Sequence, residues 1–161
     1  MTDIYIYADG CRVKATEIPD NARHVYASGC TALTELRADN ATHVDASGCT
    51  ALVELRADNA TTVYASGCTA LVEPDLPNVA ALRERGIRTH AAGNSLFIGP
   101  IGSRDAWLVV RKTDGGIVVI AGCFSGTVDA FFNAVEATHG GNEHGQNYRL
   151  TEPMIQAWGA Q

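Results

Sequence analysis

Residues 21 to 39 read NARHVYASGCTALTELRAD, residues 40 to 58 read NATHVDASGCTALVELRAD, and residues 59 to 77 read NATTVYASGCTALVEPDLP. The period is 19 residues, with near identity between copies, and a fixed period of this kind marks a chain built from stacked supersecondary units. A worn copy precedes them: one period back, Tyr7-Ala8-Asp9-Gly10-Cys11 falls under Tyr26-Ala27-Ser28-Gly29-Cys30. In the second copy Val44 and Ala46 alternate with His43, Asp45 and Ser47, and Leu55 and Ala57 alternate with Glu54, Arg56 and Asp58. That is the spacing of two short strands, not of a helix. Between them lies Ser47-Gly48-Cys49-Thr50-Ala51-Leu52, where the glycine admits a turn conformation closed to other residues. One copy cannot cover its own apolar face, so the coils are expected to stack, each on its neighbours. At about 4.8 Å per strand, four coils make a stub about 15 to 20 Å long.

The segments Leu33-x-x-Leu36-x-Ala38-x-Asn40 and Leu52-x-x-Leu55-x-Ala57-x-Asn59, with the half-pattern Val44-x-Ala46-x-x-Cys49, resemble the leucine-rich-repeat family in a short bacterial version. The resemblance covers roughly residues 2 to 77, and departs from the family in the 19-residue length and in Ala where the usual repeat has Leu. It implies a short solenoid of about four coils with a thin core, used as a recognition scaffold.

Pro74 stands where Leu36 and Leu55 stood, and Pro77 follows, so the strand pattern breaks at residues that cannot donate to a ladder. Asn78 to Arg85, with Val79 and Leu82 on one side and Gly86 beyond, reads as a short helix with a glycine stop. It is expected to cap the stack, with Ile87 to Ala91 as a strand continuing it. The domain boundary is expected at Ala92-Gly93-Asn94, giving a repeat solenoid with a helical cap over residues 1 to 93 and a small antiparallel sheet plus helices over residues 94 to 161. In the second part Ser95 to Ile101, Ala106 to Lys112 and Ile117 to Ala121 read as strands, with Thr113 to Gly116 as a hairpin turn. Thr127 is placed to cap a helix carrying Val128, Phe131, Phe132 and Val135 on one face, ending at Gly140-Gly141. Asn142 to Trp158 reads as a further helix, kinked or restarted at Pro153 with Thr151 as a cap. The fold class is therefore mixed α/β, of the α+β kind.

Ile98-Gly99-Pro100-Ile101-Gly102-Ser103-Arg104, Lys112-Thr113-Asp114-Gly115-Gly116-Ile117, Gly122-Cys123-Phe124-Ser125-Gly126-Thr127 and Thr138-His139 through His144 to Tyr148 are similar to a carboxy-terminal module of uncharacterised bacterial and phage repeat proteins. This second resemblance spans about residues 94 to 150.

Composition narrows the function. The 161 residues are 46% apolar and 19% charged, enough to bury a core. The formal charge is 12 − 18 = −6, which argues against binding to a phosphate backbone. Residues 1 to 77 carry 5 basic and 11 acidic residues and residues 78 to 161 carry 7 and 7, so the negative charge sits on the repeats. No apolar run approaches the roughly 20 residues of a membrane helix, and the opening MTDIYIYADG has no basic stretch leading into an apolar segment; a cytoplasmic location is expected. Five cysteines, an odd number, point to free thiols. Four of them, Cys11, Cys30, Cys49 and Cys68, form one column, read as a buried thiol ladder: stacked side chains run parallel along an axis, whereas tetrahedral zinc needs converging ligands. His24 and His43 form a column that continues as Thr62. No metal and no cofactor is expected.

Two surfaces carry the functional expectations. On the repeats, Tyr7, Tyr26, Asp45 and Tyr64 face outward beside Ser28, Ser47 and Ser66, as on recognition surfaces rich in aromatic and small polar side chains. On the other strand Glu35, Glu54 and Glu73 stack beside Arg37 and Arg56. Tyr26, Asp45, Tyr64, Glu35, Arg37, Glu54 and Arg56 are thus the expected partner-binding residues. In the second part, the loop Gly99 to Arg104 lacks the Gly-Lys-Ser/Thr ending of a phosphate-cradling loop, and Arg104 with His139 and His144 form the expected pocket for an anion. Cys123, His139, His144, Arg104 and Asp114 include the residue types of a thiol nucleophile and its base, but Cys123 ends an apolar strand and is expected to pack inside. The leading expectation is a non-enzymatic interaction protein that binds a protein partner through its repeat face and forms a homodimer. The phage-like resemblance implies interference with a host defence complex, in the manner of an anti-CRISPR protein or a DNA mimic. Sequestration of an anionic signal nucleotide by the second part, and cysteine/histidine catalysis, are the alternatives.

Overall fold

The computed structural model describes the backbone of Ile4–Ala8 and Cys11–Ala15 and all of residues 18 to 161. Two compact units emerge, residues 1 to 72 and residues 73 to 161. The side chains of Tyr7 and Cys11, the first members of their columns, lie outside the described residues.

The first unit is built from strands β1 (Ile4–Ala8), β2 (Cys11–Ala15), β3 (His24–Tyr26), β4 (Glu35–Arg37), β5 (His43–Asp45), β6 (Glu54–Arg56) and β7 (Thr62–Tyr64). The chain alternates between two sheets. One has the order β2-β1-β3-β5-β7 and the other is β4-β6. Pairing within β3-β5-β7 and within β4-β6 is parallel and one period out of step: His24 lies on His43 and then Thr62, Val25 on Val44 and Val63, and Leu36 on Leu55. Hairpin β1-β2 joins β3 in antiparallel fashion, so the worn copy does not repeat the geometry of the others.

Identical inward residues stack because the register equals the period. Val25, Val44 and Val63, Ala27, Ala46 and Ala65, and Leu36 and Leu55 are all buried. Pairing continues past the three-residue strands: Ala27 N–H donates to Asp45 O (2.7 Å), Gly29 N–H to Ser47 O (2.8 Å), and Gly48 N–H to Ser66 O (2.7 Å). Gly29, Gly48 and Gly67 make the corner at φ 77°, 76° and 77°, a left-handed conformation that costs other residues roughly 1 kcal/mol or more. Just beyond, Cys30, Cys49 and Cys68 turn inward, at most 5% exposed. The Cys49 thiol donates to Ala27 O (3.1 Å) and the Cys68 thiol to Ala46 O (3.0 Å), tying each corner to the coil before it.

The second unit contains α1 (Val79–Glu84), β8 (Arg88–Ala92), β9 (Ser95–Ile101), β10 (Ala106–Thr113), β11 (Gly116–Ala121), β12 (Phe124–Gly126), α2 (Val128–His139) and α3 (Glu143–Gly159). Its strands form one antiparallel sheet in the order β12-β11-β10-β9-β8. Leu96, Ile98, Leu108, Val110 and Val119 from the sheet close over Leu82 of α1, Phe131 and Val135 of α2, and Met154, Ile155 and Trp158 of α3. Thr127 caps α2, its side chain accepting from Ala130 N–H (3.2 Å), and Asn142 caps α3 by accepting from Gly145 N–H (3.0 Å).

Three expectations need correction. The boundary falls at Val72/Glu73, not at residue 93. The segment 88 to 92 pairs antiparallel with β9, Arg88 opposite Gly99 and Ala92 opposite Ser95, so it belongs to the second sheet and does not extend the repeats; α1 packs on β8 and α3 and goes with it. Finally, α3 runs unbroken through Pro153, and Thr151 is no cap: its hydroxyl donates back to Tyr148 O (2.5 Å). Strand β12 has no counterpart among the strands expected from the sequence.

Leu55→Ala removes a fully buried side chain stacked on Leu36. It is expected to lower the stability of the repeat unit by roughly 2 to 5 kcal/mol, whereas Val53→Ala, at a residue 49% exposed, is expected to change it by less than about 0.5 kcal/mol. Urea unfolding of the two variants checks the difference.

Candidate functional site

On the repeat unit, β3, β5 and β7 hold His24, Tyr26, His43, Asp45, Thr62 and Tyr64 on one outward face, since the intervening Val25, Val44 and Val63 point into the core. The rings pack along the ladder. His43 sits between Tyr26 (centroids 5.5 Å apart) and Tyr64 (5.8 Å), with His24 at 5.6 Å. Asp45 lies opposite Tyr26 on one side and Tyr64 on the other, and its Oδ1 accepts from Ser47 N–H (3.0 Å). Burial holds His43 below its ordinary range, the charge of His24 adds to this, and Asp45 offsets part of it.

The second ladder is different in character. Arg37 pairs with Glu35 and reaches Glu54 (3.8 Å), while Arg56 lies between Asp58 (3.3 Å) and Asp39 (4.0 Å). Acids and bases therefore alternate, and the face is not an uninterrupted anionic surface. Glu73, grouped in sequence with Glu35 and Glu54, lies in the second unit and pairs with Arg88 (2.9 Å) and Arg83 (3.4 Å). Burial pushes the Cys49 thiol up and the Cys68 thiol up to about 11, with the neighbouring Cys49 adding to the latter. Such thiols are poor nucleophiles and poor metal ligands at neutral pH. Among the described residues no three His, Cys, Asp or Glu side chains are grouped to hold a metal ion.

In the second unit, antiparallel pairing brings the β9–β10 turn and the β11–β12 turn to the same end of the sheet, beside the last residues of α2. A cavity of about 250 Å³ opens there, lined by Ser103 and Arg104 from the first turn, Ala121, Gly122 and Cys123 from the second, Thr138 and His139 from α2, and Tyr148 from α3. Ala121, Thr138, His139 and Tyr148 also line a second hollow of about 180 Å³, together with Phe124, Phe131 and Val135. The His139 ring lies 5.7 Å from Tyr148 at 30°, and the Tyr148 ring meets Phe131 edge-on at 5.5 Å. Burial pushes the Tyr148 hydroxyl above its ordinary range, so it remains a neutral donor. Its oxygen lies over Gly102, at φ 80°, where a Cβ would collide with it.

The sequence placed Arg104 and His139 together, and they share this cavity. His144 does not line it: its ring stands 5.6 Å from His139, facing a separate hollow with Arg85, Glu143 and Asn147. Cys123 is exposed, contrary to the packed thiol expected. Strand β11 ends at Ala121, and Gly122 at φ 59° turns the chain before Cys123. Tyr148 also packs, partly buried, against the core of this unit. Its place in the cavity wall has a sequence signal, the glycine at position 102 that its hydroxyl requires, but that signal is visible only once the two are known to meet. Trp107 borders the cavity, yet Leu108 and Val110 point under the helices, so by strand alternation its side chain projects to the opposite face.

Against protein-family models, curated proteins and solved structures, the chain matches none. Among the described residues no helix is long and apolar enough to cross a membrane.

Gly102→Ala is expected to displace Tyr148 from the cavity wall and to cost roughly 1 to 3 kcal/mol, seen as a lower unfolding midpoint together with shifted Tyr148 ring resonances. A pH effect follows from His43. The unfolded chain takes up the proton first as pH falls, so this contribution to stability is complete above the ordinary histidine value of about 6.5 and is lost on acidification through the lower folded value. His43→Gln is expected to flatten the decline in urea midpoint between about pH 7 and pH 5; equal slopes in both proteins would assign the decline to other groups.

Proposed function

We propose that the repeat unit is a short leucine-rich-repeat-like solenoid and that the chain is a non-enzymatic recognition protein, binding a protein partner through the face of β3, β5 and β7. The observation that carries this reading is the outward column Tyr26-Asp45-Tyr64 in one-period register. It sets a carboxylate between two tyrosines, held by a buried parallel ladder whose side chains have little freedom to move. This arrangement suits a lysine or arginine side chain of the partner, its stem lying against tyrosine and its cation on Asp45. The Glu35-Arg37-Glu54-Arg56 face, by contrast, spends its charges on itself, and exposed pairs of this kind contribute little to affinity. The column thus offers a carboxylate to a partner's cation, whereas the alternating acids and bases of the other face do not make the uninterrupted charge of a nucleic-acid backbone.

Selection of a random peptide library on the full chain tests the proposal. Peptides enriched in a single basic residue flanked by apolar ones are expected. Asp45→Asn should weaken them about tenfold, Tyr64→Ala should weaken them as well, and Glu35→Lys should leave them bound. Selection without a basic consensus, or binding untouched by Asp45→Asn, overturns it.

A further inference from the structure

The second unit carries a feature that partner binding on the repeats does not use. Arg104 stands at the mouth of the 250 Å³ cavity and, unlike the other arginines whose side chains are described, has no hydrogen-bond or ion-pair partner among the described residues. Arg37, Arg56, Arg83, Arg88 and Arg149 pair with carboxylates, Arg23 and Arg85 donate to Asn40 O and Asn147 Oδ1, and Arg111 is also engaged. Among the described residues no carboxylate lines either hollow. A cationic mouth opening on a chamber without acids favours a negative charge inside it.

Beyond the mouth the chemistry changes. Ser103 and Thr138 line the same cavity as Arg104; His139 and Tyr148 line both hollows, and the second is bounded by Phe124 and Phe131. Polar groups and aromatic carbon line the two hollows together, the mixture found in small-ligand pockets. Its volume restricts the occupant, since about 250 Å³ lies below the range of roughly 300 to 1,000 Å³ for drug-sized ligands. A dinucleotide is too large for the main lobe.

We propose that the cavity between the β9–β10 and β11–β12 turns and the end of α2 binds a small planar anion, a single aromatic or heteroaromatic ring bearing one carboxylate or phosphate. The anionic group sits on Arg104 with Ser103 and Thr138, and the ring lies against His139 and Tyr148 toward Phe124 and Phe131. This site is independent of the repeat face and survives or fails apart from it.

Cys123 lines the cavity and is the one exposed thiol among the described residues, so it reports occupancy. The experiment measures the rate at which iodoacetamide alkylates Cys123 in the full-length protein, followed by peptide mass spectrometry, with benzoate, phenyl phosphate, inorganic phosphate or benzyl alcohol present. Saturating benzoate or phenyl phosphate is expected to slow alkylation at least fivefold, the more protective of the two naming the head group. Benzyl alcohol, which has the ring without the charge, and inorganic phosphate, which has the charge without the ring, should protect far less at equal concentration. In Arg104→Ala, an exposed position where folding is readily checked by circular dichroism, the concentration needed for protection should rise about ten- to a hundredfold. Phe124→Ala should weaken the ring-bearing anions and leave inorganic phosphate unchanged. Absence of protection by both ring-bearing anions, protection unchanged in Arg104→Ala, or equal protection by benzyl alcohol each overturns the proposal.

Discussion

The repeat unit depends on a register equal to its period. Parallel pairing at a shift of 19 residues places each valine on the next valine and each leucine on the next leucine, so one sequence solution serves every coil. The corner glycines make this possible. With Gly29, Gly48 and Gly67 all near φ 77°, the chain turns at the same point in each coil, and the cysteine that follows reaches back to a carbonyl of the preceding coil. A change at one of these points in a single copy breaks the stacking of like on like with its neighbours.

The same register fixes what the surface can be. Outward residues also stack in columns, and a column of one charge would repel itself. Two solutions are visible. On β4-β6 arginine and acid alternate along the strand, so that each base meets acids on its own and the adjacent coil. On β3-β5-β7 the column mixes types, with Asp45 between Tyr26 and Tyr64, and the neighbouring His43 imidazole packs between the tyrosine rings. The first solution engages both arginines, each shared between two carboxylates. The second leaves a carboxylate and aromatic surface available, and the recognition proposal rests on that difference.

The second unit obeys another rule. Its sheet is antiparallel, so turns two strands apart meet at one end, and residues distant in sequence converge there: Arg104, Cys123 and His139 line one cavity without any local motif joining them. Such a site places few demands on sequence pattern. It requires a turn of the right length after β9, a strand that stops at Ala121, and a helix that ends at His139.

Much of this was legible in advance. Near identity at a fixed spacing reveals the repeat, alternation of Val44 and Ala46 with His43 and Asp45 reveals which residues face inward, and Thr127 followed by apolar residues at helical spacing reveals α2. These are local or strictly periodic properties, determined by the covalent chain itself. Tertiary structure decided the rest, because it turns on pairing between distant segments. Arg88–Ala92 is short and weakly apolar, and only its hydrogen bonds to β9 assign it to the second sheet. Cys123 follows an apolar strand, and only the turn at Gly122 sets it outside. Tyr148 has the spacing of a core residue, and only the approach of α3 to Gly102 makes it a cavity wall. The sequence by itself determined the repeat, its inward columns and its corner, since stacking identical copies adds no long-range choice. Where the second unit begins, and which side chains surround its cavity, was decided by contacts between non-neighbouring strands and helices that no local pattern encodes.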